Sequence, residues 1–207
     1  MIRDFIANFS ALDQRASATV EVVDYSALAL ATLTVDGNAL VEGTDFDAET
    51  DNDTTAGNIA TAVSLISGFT ASADGATVTI YWETPGTAGN AKTLASSDET
   101  NLTISGATLS GGVAATYTDS FDTSDAEEVE EELIVTTLSG TPTLDVTPQV
   151  SLDGGDTWSD DATPFTQATG ATSQIMTETL TGVKRRYKLV LGGTNPVFTG
   201  KIIAVAK

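Results

Sequence analysis

Apolar and polar residues alternate along most of this chain, and that period of two predicts β-strands. In the first half the alternating segments are SATVEVVDY, ALALATLTV, NALVEGTDF and ASADGATVTIYWE, and shorter fragments follow at TLASS and NLTISGATLSGG. In the second half they are ELIVTTL, TLDVTPQVSL, SQIMTETL, KRRYKLVLG and FTGKIIAVA. Asp36-Gly37 separates two of them and is typical of a tight hairpin turn. The pattern predicts a mainly β protein.

Residues 47–69 interrupt the alternation with helical spacing, which places three apolar side chains on one face: Ile59, Val63 and Ile66. Thr54 or Thr55 is predicted to cap the start of this helix, and Gly68 stands where a left-handed residue would end it. One helix against a small sheet is therefore expected in the first half of the chain.

Residues 1–14 also have apolar residues at spacings of three and four: Ile2, Phe5, Ile6, Phe9 and Leu12. This spacing favours a short amphipathic helix that packs on its own domain, or an arm docked on something apolar, such as a neighbouring subunit. The sequence leaves both alternatives open.

The domain organisation follows from these elements and from the boundary that Gly111-Gly112 indicates. We predict an N-terminal arm or short helix over residues 1–16 and a small α+β domain with one helix over residues 17–112. Residues 113–207 contain only short strands separated by Gly-, Pro- and Asn-rich turns, which favours an antiparallel β-sandwich or jelly roll. A length of 207 residues suits two such domains. The abundance of threonine, with 35 residues, agrees with a mainly β fold.

Charge is strongly segregated along the chain. The last 24 residues contain six Lys or Arg and no acid, whereas the first 183 contain all 29 acids and three basic residues, for a total of −20. Segregated charge governs association more than fold. We therefore expect an acidic surface to contact one basic strand, within the chain or between copies. A net charge of −20 also argues against nucleic acid as the main partner.

The composition excludes most enzyme chemistry. The chain has no Cys and no His, so thiol nucleophiles, zinc-thiolate sites and Ser-His-Asp catalysis are impossible. The carboxylate pairs Asp160/Asp161 and Glu127/Glu128 are adjacent, and adjacent residues of a strand point to opposite faces, so neither forms a natural acid–base pair. We expect no enzyme activity and no cofactor.

The acidic segments 47–53 and 119–132 offer two alternatives. Carboxylate oxygens bind calcium, but both segments lack the Gly and closing Glu of an EF-hand loop. The second segment has eight acids in 14 residues and is also suited to pair with the basic strand. In that strand Lys184, Arg186 and Lys188 share one face, and Arg185 and Tyr187 share the other. Neutralisation within the chain and a contact between subunits both remain open.

Our candidate protein–protein contacts come from the two ends of the chain. They are Ile2, Phe5 and Phe9 of the N-terminal arm, and Lys184, Arg185, Arg186 and Lys188 of the basic strand. The start of the chain is a poor signal peptide, and no stretch is apolar enough to span a membrane. We therefore expect a protein that is made in a cytoplasm and has no membrane partner.

Two resemblances add to this picture. Ser151-Leu-Asp-Gly-Gly-Asp-Thr-Trp158 resembles the Asp-box, the S-x-D-x-G-x-T-W hairpin of sialidases and other β proteins. In those proteins it is a folding element that lies away from the active site. A single copy does not support a propeller. Trp158, with Tyr81 and Trp82, also leaves a glycan-binding adhesin module as an alternative function.

The second resemblance is to virion proteins of tailed bacteriophages. TLTVDGNALVEGTDF, the helix segment NIATAV, GATVTI and GTAGN resemble a small domain found in tail-sheath-type proteins. LSGTPTLDVTPQVSLDGGDTWSD and KRRYKLVLGGTNPVFTGKI resemble small β proteins encoded among phage head genes. The resemblance implies a virion protein made in the host cytoplasm. The expected role is capsid decoration, with the major capsid protein or further copies as partners in a homo-oligomeric assembly. A tail component (tube, sheath-associated or baseplate) is the alternative.

Overall fold

A computed structural model describes residues 3–161 and 163–207, and the chain divides into two compact units. Arg15–Val113 forms one, the α+β unit, and the residues up to Gln14 form the other, the sandwich unit, together with Ala114–Lys207. The strands and the helix, in chain order, are β1 (Arg3–Leu12), β2 (Ser17–Val22), β3 (Thr32–Val35), β4 (Asn38–Val41), α1 (Asn52–Val63), β5 (Phe69–Asp74), β6 (Thr77–Trp82), β7 (Leu94–Ser96), β8 (Leu102–Ile104), β9 (Thr116–Tyr117), β10 (Phe121–Asp122), β11 (Glu128–Ser151), β12 (Ser159–Asp160), β13 (Thr172–Thr179) and β14 (Lys184–Ala206).

The α+β unit contains two small antiparallel sheets and the helix. The strand order is β5-β6-β2-β8 in one sheet and β4-β3-β7 in the other. Helix α1 packs on β5 and β6, and its Ile59 and Val63 side chains are fully buried, as their spacing predicts. The predicted hairpin at Asp36-Gly37 is confirmed, since both residues have the positive φ angles of a tight β-turn, 47° and 83°.

The ends of α1 differ from the prediction. The cap is Asp51, whose carboxylate accepts a hydrogen bond of 2.7 Å from the Thr54 backbone N–H, so the prediction of Thr54 or Thr55 is wrong. A carboxylate at this position also faces the positive end of the helix dipole. The helix ends at Val63, five residues before Gly68. Gly68 has a φ of +85°, and an added Cβ would lie 2.5 Å from the Trp82 ring, so close packing also requires glycine there.

The sandwich unit is organised by its two long strands. β11 and β14 pair antiparallel from Val129 opposite Ala206 to Ser151 opposite Lys184. β1, β9 and β10 pair with the free edge of β14, and β12 and β13 pair with the free edge of β11. The two halves of this ribbon share one core, so they form the two layers of a sandwich. The arm layer contains β1, 198–206, 128–135 and β13, whereas the basic layer contains β9, β10, 184–191, 144–151 and β12.

A bulge in each long strand exchanges its inward and outward sides. In β11 the inward residues are odd-numbered as far as Val135 and even-numbered from Leu144 to Pro148. In β14 they are odd-numbered as far as Leu191 and even-numbered from Phe198 onward. The pairing register shifts twice between these points, once for each strand. Because a bulge adds one residue to one strand, it reverses the alternation and lets both layers face the same core.

The N-terminal segment is a strand, so the prediction of a short helix is wrong for residues 3–12. β1 pairs antiparallel with the end of β14, from Arg3 opposite Ala206 to Leu12 opposite Phe198. The backbone edge that β14 offers explains why residues 3–12 form a strand. Each added pair of strand residues gains ladder hydrogen bonds and cross-strand contacts. The arm is thus a strand of the sandwich unit, and the whole α+β unit lies between it and its partner β14 in the sequence.

Gln14 fixes the end of this arm. Its side chain is fully buried, and its amide accepts a hydrogen bond of 2.9 Å from the Leu191 N–H and donates one of 2.9 Å to the Leu189 carbonyl. The amide nitrogen also donates to the Thr116 hydroxyl at 3.0 Å. The side-chain amide therefore satisfies two backbone groups of β14 as a neighbouring strand would.

The bulge predicts a strong effect of one substitution. Gly140 has a φ of +77°, and an added Cβ would lie 2.3 Å from the carbonyl oxygens of Thr194 and Asn195. We expect Gly140→Ala to lower the free energy of unfolding by about 3 kcal/mol, measured by chemical denaturation. Gly170→Ala is the matched control, because its Cβ would meet no atom within 4 Å, and it should cost less than about 0.5 kcal/mol. Equal effects of the two substitutions would contradict this role of the bulge.

Candidate protein interface

The basic strand alternates as its sequence predicts. Arg185, Tyr187 and Leu189 point into the sandwich core, and Lys184, Arg186 and Lys188 lie partly exposed on the opposite face. The structure therefore places three of the four basic contact candidates at the surface and the fourth in the core. Arg185 has no exposed surface, so its proposed role as a surface contact is corrected here: it is a core residue.

Arg185 is surrounded by carboxylates in the core. Its Nε donates to Glu131 Oε1 at 2.5 Å, and its Nη2 donates to Glu131 Oε2 at 3.1 Å. Nη1 donates to Asp161 Oδ2 at 2.6 Å, and Nη2 also donates to a Glu178 carboxylate oxygen. The Tyr187 hydroxyl donates to Glu131 Oε1 at 2.6 Å. One guanidinium thus connects β11, β13, β14 and the segment after β12, so neutralisation within the chain accounts for this residue.

The charges in this cluster do not balance, because three carboxylates face one guanidinium. Burial raises the pKa of Glu131, against the opposing effects of Arg185 and Tyr187. Burial likewise raises the pKa of the Tyr187 hydroxyl, with a further contribution from the Glu131 charge. Burial disfavours the charge on Arg185, but its bonds to Glu131 and Asp161 outweigh that and raise its pKa. Glu178 Oε1 is buried without a hydrogen-bond partner.

The outward side of the same strand carries a second cluster. The Arg186 guanidinium lies 4.3 Å from the centres of both the Tyr117 and Trp158 rings, and its Nε donates to Gln149 at 2.8 Å. Lys188 forms an ion pair of 3.1 Å with Asp160. Lys184 forms no ion pair with any residue in 3–161 or 163–207. Arg186 is therefore held in place by aromatic rings, and Lys184 retains an unused charge.

A polar groove lies beside these side chains. It has a volume of about 340 Å³ and is lined by Lys184, Arg186, Trp158, Asp119 and Asp156, among others. The groove combines two cations, two carboxylates and one aromatic edge. Such a surface suits polar recognition of another protein surface better than enclosure of a small apolar ligand.

The Asp-box segment forms one wall of the groove and has the internal bonds expected of that hairpin. Asp153 accepts hydrogen bonds from the Ser151 hydroxyl at 2.7 Å, the Thr157 N–H at 2.9 Å and the Thr157 hydroxyl at 2.6 Å. The bonds from Thr157, then that from Ser151, hold the pKa of Asp153 well below its usual range. Trp158 donates from its indole nitrogen to the Gly155 carbonyl at 3.0 Å. The segment thus fixes the position of the Trp158 ring beneath Arg186.

The apolar contact candidates of the arm do not form a surface. Phe9 is buried, and Phe5 stacks on Phe121 with ring centres 4.5 Å apart. Ile2 lies outside the described residues. The large apolar side chain of β1 that is exposed is Ile6, which is 56% exposed and points away from the core. Because the arm is a strand, Phe5 and Phe9 face the core and Ile6 faces outward. The helical interpretation of the arm did not predict this arrangement.

Ile6 belongs to a row of four outward side chains, three apolar and one acidic, that the sequence analysis missed. Ile6 pairs with Ile203 of β14, Ile203 pairs with Glu132 of β11, and Glu132 pairs with Ile175 of β13. Ile175 is 67% exposed. Only the cross-strand register brings these residues into one row. In FTGKIIAVA, however, apolar residues occupy consecutive positions, and this pattern indicates a strand that is apolar on both faces.

The acidic segments and the second tryptophan were the remaining candidate sites. In residues 3–161 and 163–207, no three acidic side chains are placed to share a metal ion, and this includes the segments 47–53 and 119–132. The described part of the chain has no helix that is long and apolar enough to cross a membrane. Trp82 is partly buried, with Lys92 4.1 Å from its ring centre. Each Trp ring therefore has a cation on one of its faces.

No protein-family model and no curated protein matches this chain. Among solved structures, the chain is similar to the stem and receptor binding domain of the spike protein P1 from bacteriophage PM2. The alignment covers 100% of this chain and 96% of that chain, at 9% sequence identity and a TM-score of 0.24. A TM-score this low establishes neither a shared fold nor a shared function.

The buried cluster predicts that Arg185 is essential for stability. Arg185→Met removes the guanidinium that faces Glu131, Asp161 and Glu178, and we expect it to cost about 3–5 kcal/mol of unfolding free energy at pH 7. Arg186→Met is the matched control on the next residue, where lost ring contacts should cost only about 1 kcal/mol. Chemical denaturation measures both. A loss for Arg185→Met no larger than that for Arg186→Met would contradict the structural role of the cluster.

Glu131 predicts a specific pH dependence. Because the folded state raises its pKa above the ordinary value of 4.5, the folded state holds this proton more tightly than the unfolded state. The stability that Glu131 contributes is complete below pH 4.5 and is lost as pH rises through the folded-state pKa. We expect Glu131→Gln to remove that loss, so the difference in unfolding free energy between variant and wild type should shift in favour of the variant from pH 4 to pH 7. A difference that stays constant over this range would contradict the raised pKa.

Proposed function

We propose that this chain is a non-enzymatic structural protein of a tailed-phage virion, and specifically a capsid decoration protein that stabilises the head shell. The resemblance of both halves of the sequence to phage virion proteins supports the general class. The observation that carries the finer proposal is Lys184, which has no ion pair within residues 3–161 and 163–207 and lies beside Arg186 in an exposed polar groove, in a chain of net charge −20. A cation that no carboxylate of the described residues pairs with is available to an acidic group on a partner.

The mechanism is mechanical. Each copy places the outward face of β14 on the shell, where Lys184 and Arg186 meet carboxylates at a seam between capsid subunits. Arg186 is held by Tyr117 and Trp158, so little side-chain freedom is lost when it makes contact. Contacts of modest affinity, repeated over many symmetric sites, add up to a stabilised shell. The remaining acidic surface keeps the decorated particle soluble and repels nucleic acid.

The location on the particle is tested by counting copies. Quantitative mass spectrometry of purified virions gives the ratio of this chain to the major capsid protein. A ratio near one, or a simple lattice fraction of it, supports decoration. A ratio that matches tail proteins assigns the chain to the tail, which the sheath-like first segment favours. Absence from intact virions would exclude a virion role and favour the glycan-binding alternative, which a glycan array then tests.

The contact itself is tested by charge reversal. We expect Lys184→Glu to lower the affinity of the purified protein for undecorated particles by at least about tenfold, or roughly 1.4 kcal/mol, because it places a carboxylate against the acidic partner surface. Lys207→Glu is the control, since it makes the same change at an exposed ion pair with Glu130 that contributes little. Co-sedimentation with particles measures both. Equal binding of Lys184→Glu and wild type would overturn the assignment of the groove. Arg185 is unsuitable for this test, because its loss should unfold the sandwich unit.

A further inference from the structure

β1 is a long edge strand with one side open. It has ten residues and pairs with β14, and within residues 3–161 and 163–207 no strand pairs with its other side. Alternate residues of β1 therefore direct their backbone N–H and C=O groups away from the sheet. The register with β14 is regular over residues 3–9, before the bulge. A regular edge of this length is a template on which one more strand can pair.

The other edge strands of the sandwich unit have features that discourage such pairing. In the basic layer β9, β10 and β12 have two residues each, which is too short to guide a partner strand. In the arm layer β13 has eight residues, but it directs the Glu178 carboxylate inward, toward Arg185. An inward charge is one of the devices that protect sheet edges. β1 has no lysine and no proline, and its inward side chains from Phe5 to Leu12 are all apolar.

A cleft beside β1 provides room for an added strand. It has a volume of about 300 Å³ and lies between the two layers, at the side where both β1 and β9 pair with β14. Residues 5–9 of β1 form one wall, and residues 116–119 form the other. Leu12 and Leu189 also line the cleft. The inward side chains of an added strand would therefore enter a space that is partly apolar.

The regular part of β1 is complementary to its own reversal. A two-fold axis perpendicular to the sheet, beside Ile6, places a second β1 antiparallel to the first and keeps the inward and outward sides aligned. On the outward side, Ile6 then lies opposite the same residue of the other copy, and Asp4 lies opposite Asn8 twice. On the inward side, Phe5 lies opposite Ala7 twice. A large side chain thus meets a small one, and an acid meets an amide.

Charge also favours this pairing. The two Asp4 carboxylates stand four residues apart along the strands, or about 13 Å, which exceeds the Debye length of about 8 Å at physiological salt. Asn8 is paired with Lys201 of β14, which forms no ion pair within the described residues. Each incoming Asp4 therefore lies two strands from Lys201, at about 10 Å, and is attracted by that cation.

We propose that β1 forms the interface of a homodimer, in which antiparallel β1 strands join the arm layers of two copies into one continuous sheet. The two-fold axis covers the open edge of β1 in each copy with that of the other. The assembly therefore closes at two chains. The inference goes beyond the proposed capsid contact and does not depend on it, because that contact uses the outward side of the basic strand. Each of the two can fail without the other.

The size of the contact sets the expected affinity. Residues 3–9 of the two copies form a ladder about 24 Å long and one strand wide. Such a contact is smaller than a standard interface, which buries about 800 Å² per partner, so it belongs to the weaker class. Each copy also carries a charge of −20, so repulsion opposes association at low salt. We therefore expect a dimer that forms at micromolar concentration and strengthens as salt is raised.

Sedimentation velocity of the purified full chain, without particles, tests the proposal. From about 1 to 100 µM protein in about 0.5 M salt, we expect a concentration-dependent shift to the mass of two chains, and a weaker shift in low salt. Ile6→Lys places two cations directly opposite each other and should raise the dissociation constant at least about tenfold. Ile175→Lys is the matched control, because it makes the same change at an exposed isoleucine of β13, the other edge of the layer, and it should leave the constant unchanged.

Disulfide trapping tests the register, because the natural chain has no cysteine. Opposite residues of antiparallel strands have Cβ atoms about 5 Å apart, which a disulfide can bridge after a small adjustment. We therefore expect Ile6→Cys to form a covalent dimer under mild oxidation. Asp4→Cys and Asn8→Cys should each remain monomeric when oxidised alone, since their thiols stand about 13 Å apart. A mixture of these two variants should form the mixed dimer.

Circular dichroism and thermal unfolding confirm that each variant is folded. A chain that stays monomeric to 100 µM in high salt would overturn the proposal, as would a dimer that is equally sensitive to Ile6→Lys and Ile175→Lys. Cross-linking of Ile6→Cys no faster than that of Asn8→Cys would overturn the two-fold register.

Discussion

The buried guanidinium of Arg185 holds the sandwich unit together at the point where its acidic and basic segments meet. Its hydrogen bonds reach Glu131 in β11, Glu178 in β13 and Asp161 after β12. Without it, several carboxylates would face one another in a core that excludes water, and the cost of burying unpaired charge is among the largest in protein folding. The segregation of charge along the sequence therefore stabilises the core. The basic last strand, β14, supplies the cation that pairs with Glu131 of the acidic segment 119–132.

Because Arg185 lies in the core, the outward side of the basic strand carries the other three basic side chains, Lys184, Arg186 and Lys188. Lys188 is paired with Asp160, Arg186 lies against two aromatic rings, and Lys184 has no ion pair among the residues that the structure describes. The opposite layer has a different chemistry, since its outer side combines isoleucine side chains with charged ones such as Glu132 and Lys201. One continuous pair of strands thus presents two outer surfaces of different composition.

The two bulges make this division possible. They reverse the alternation of β11 and β14, so each half of the ribbon contributes side chains to one core although it lies in a different layer. Gly140, with its positive φ angle, allows the close approach of the carbonyl oxygens of Thr194 and Asn195 at the bend. Substitutions at this bend should act on both surfaces at once, because they change the position of one layer against the other.

The sequence by itself determined the mainly β class, the single helix of the first unit, the Asp36-Gly37 hairpin, the Asp-box bonds and the alternation of the basic strand. Each of these depends on residues close together in the chain, where periodicity and turn chemistry act directly. Tertiary structure decided the rest. Residues 3–12 have helical spacing but form a strand, because the edge of β14, nearly 200 residues away, offers backbone partners. Arg185 lies in the core because Glu131, Asp161 and Glu178 converge on it, and Ile6, Ile203 and Ile175 lie in one row only because the register aligns four strands. Contacts between distant segments leave no local pattern, so no periodicity in the sequence could have revealed them.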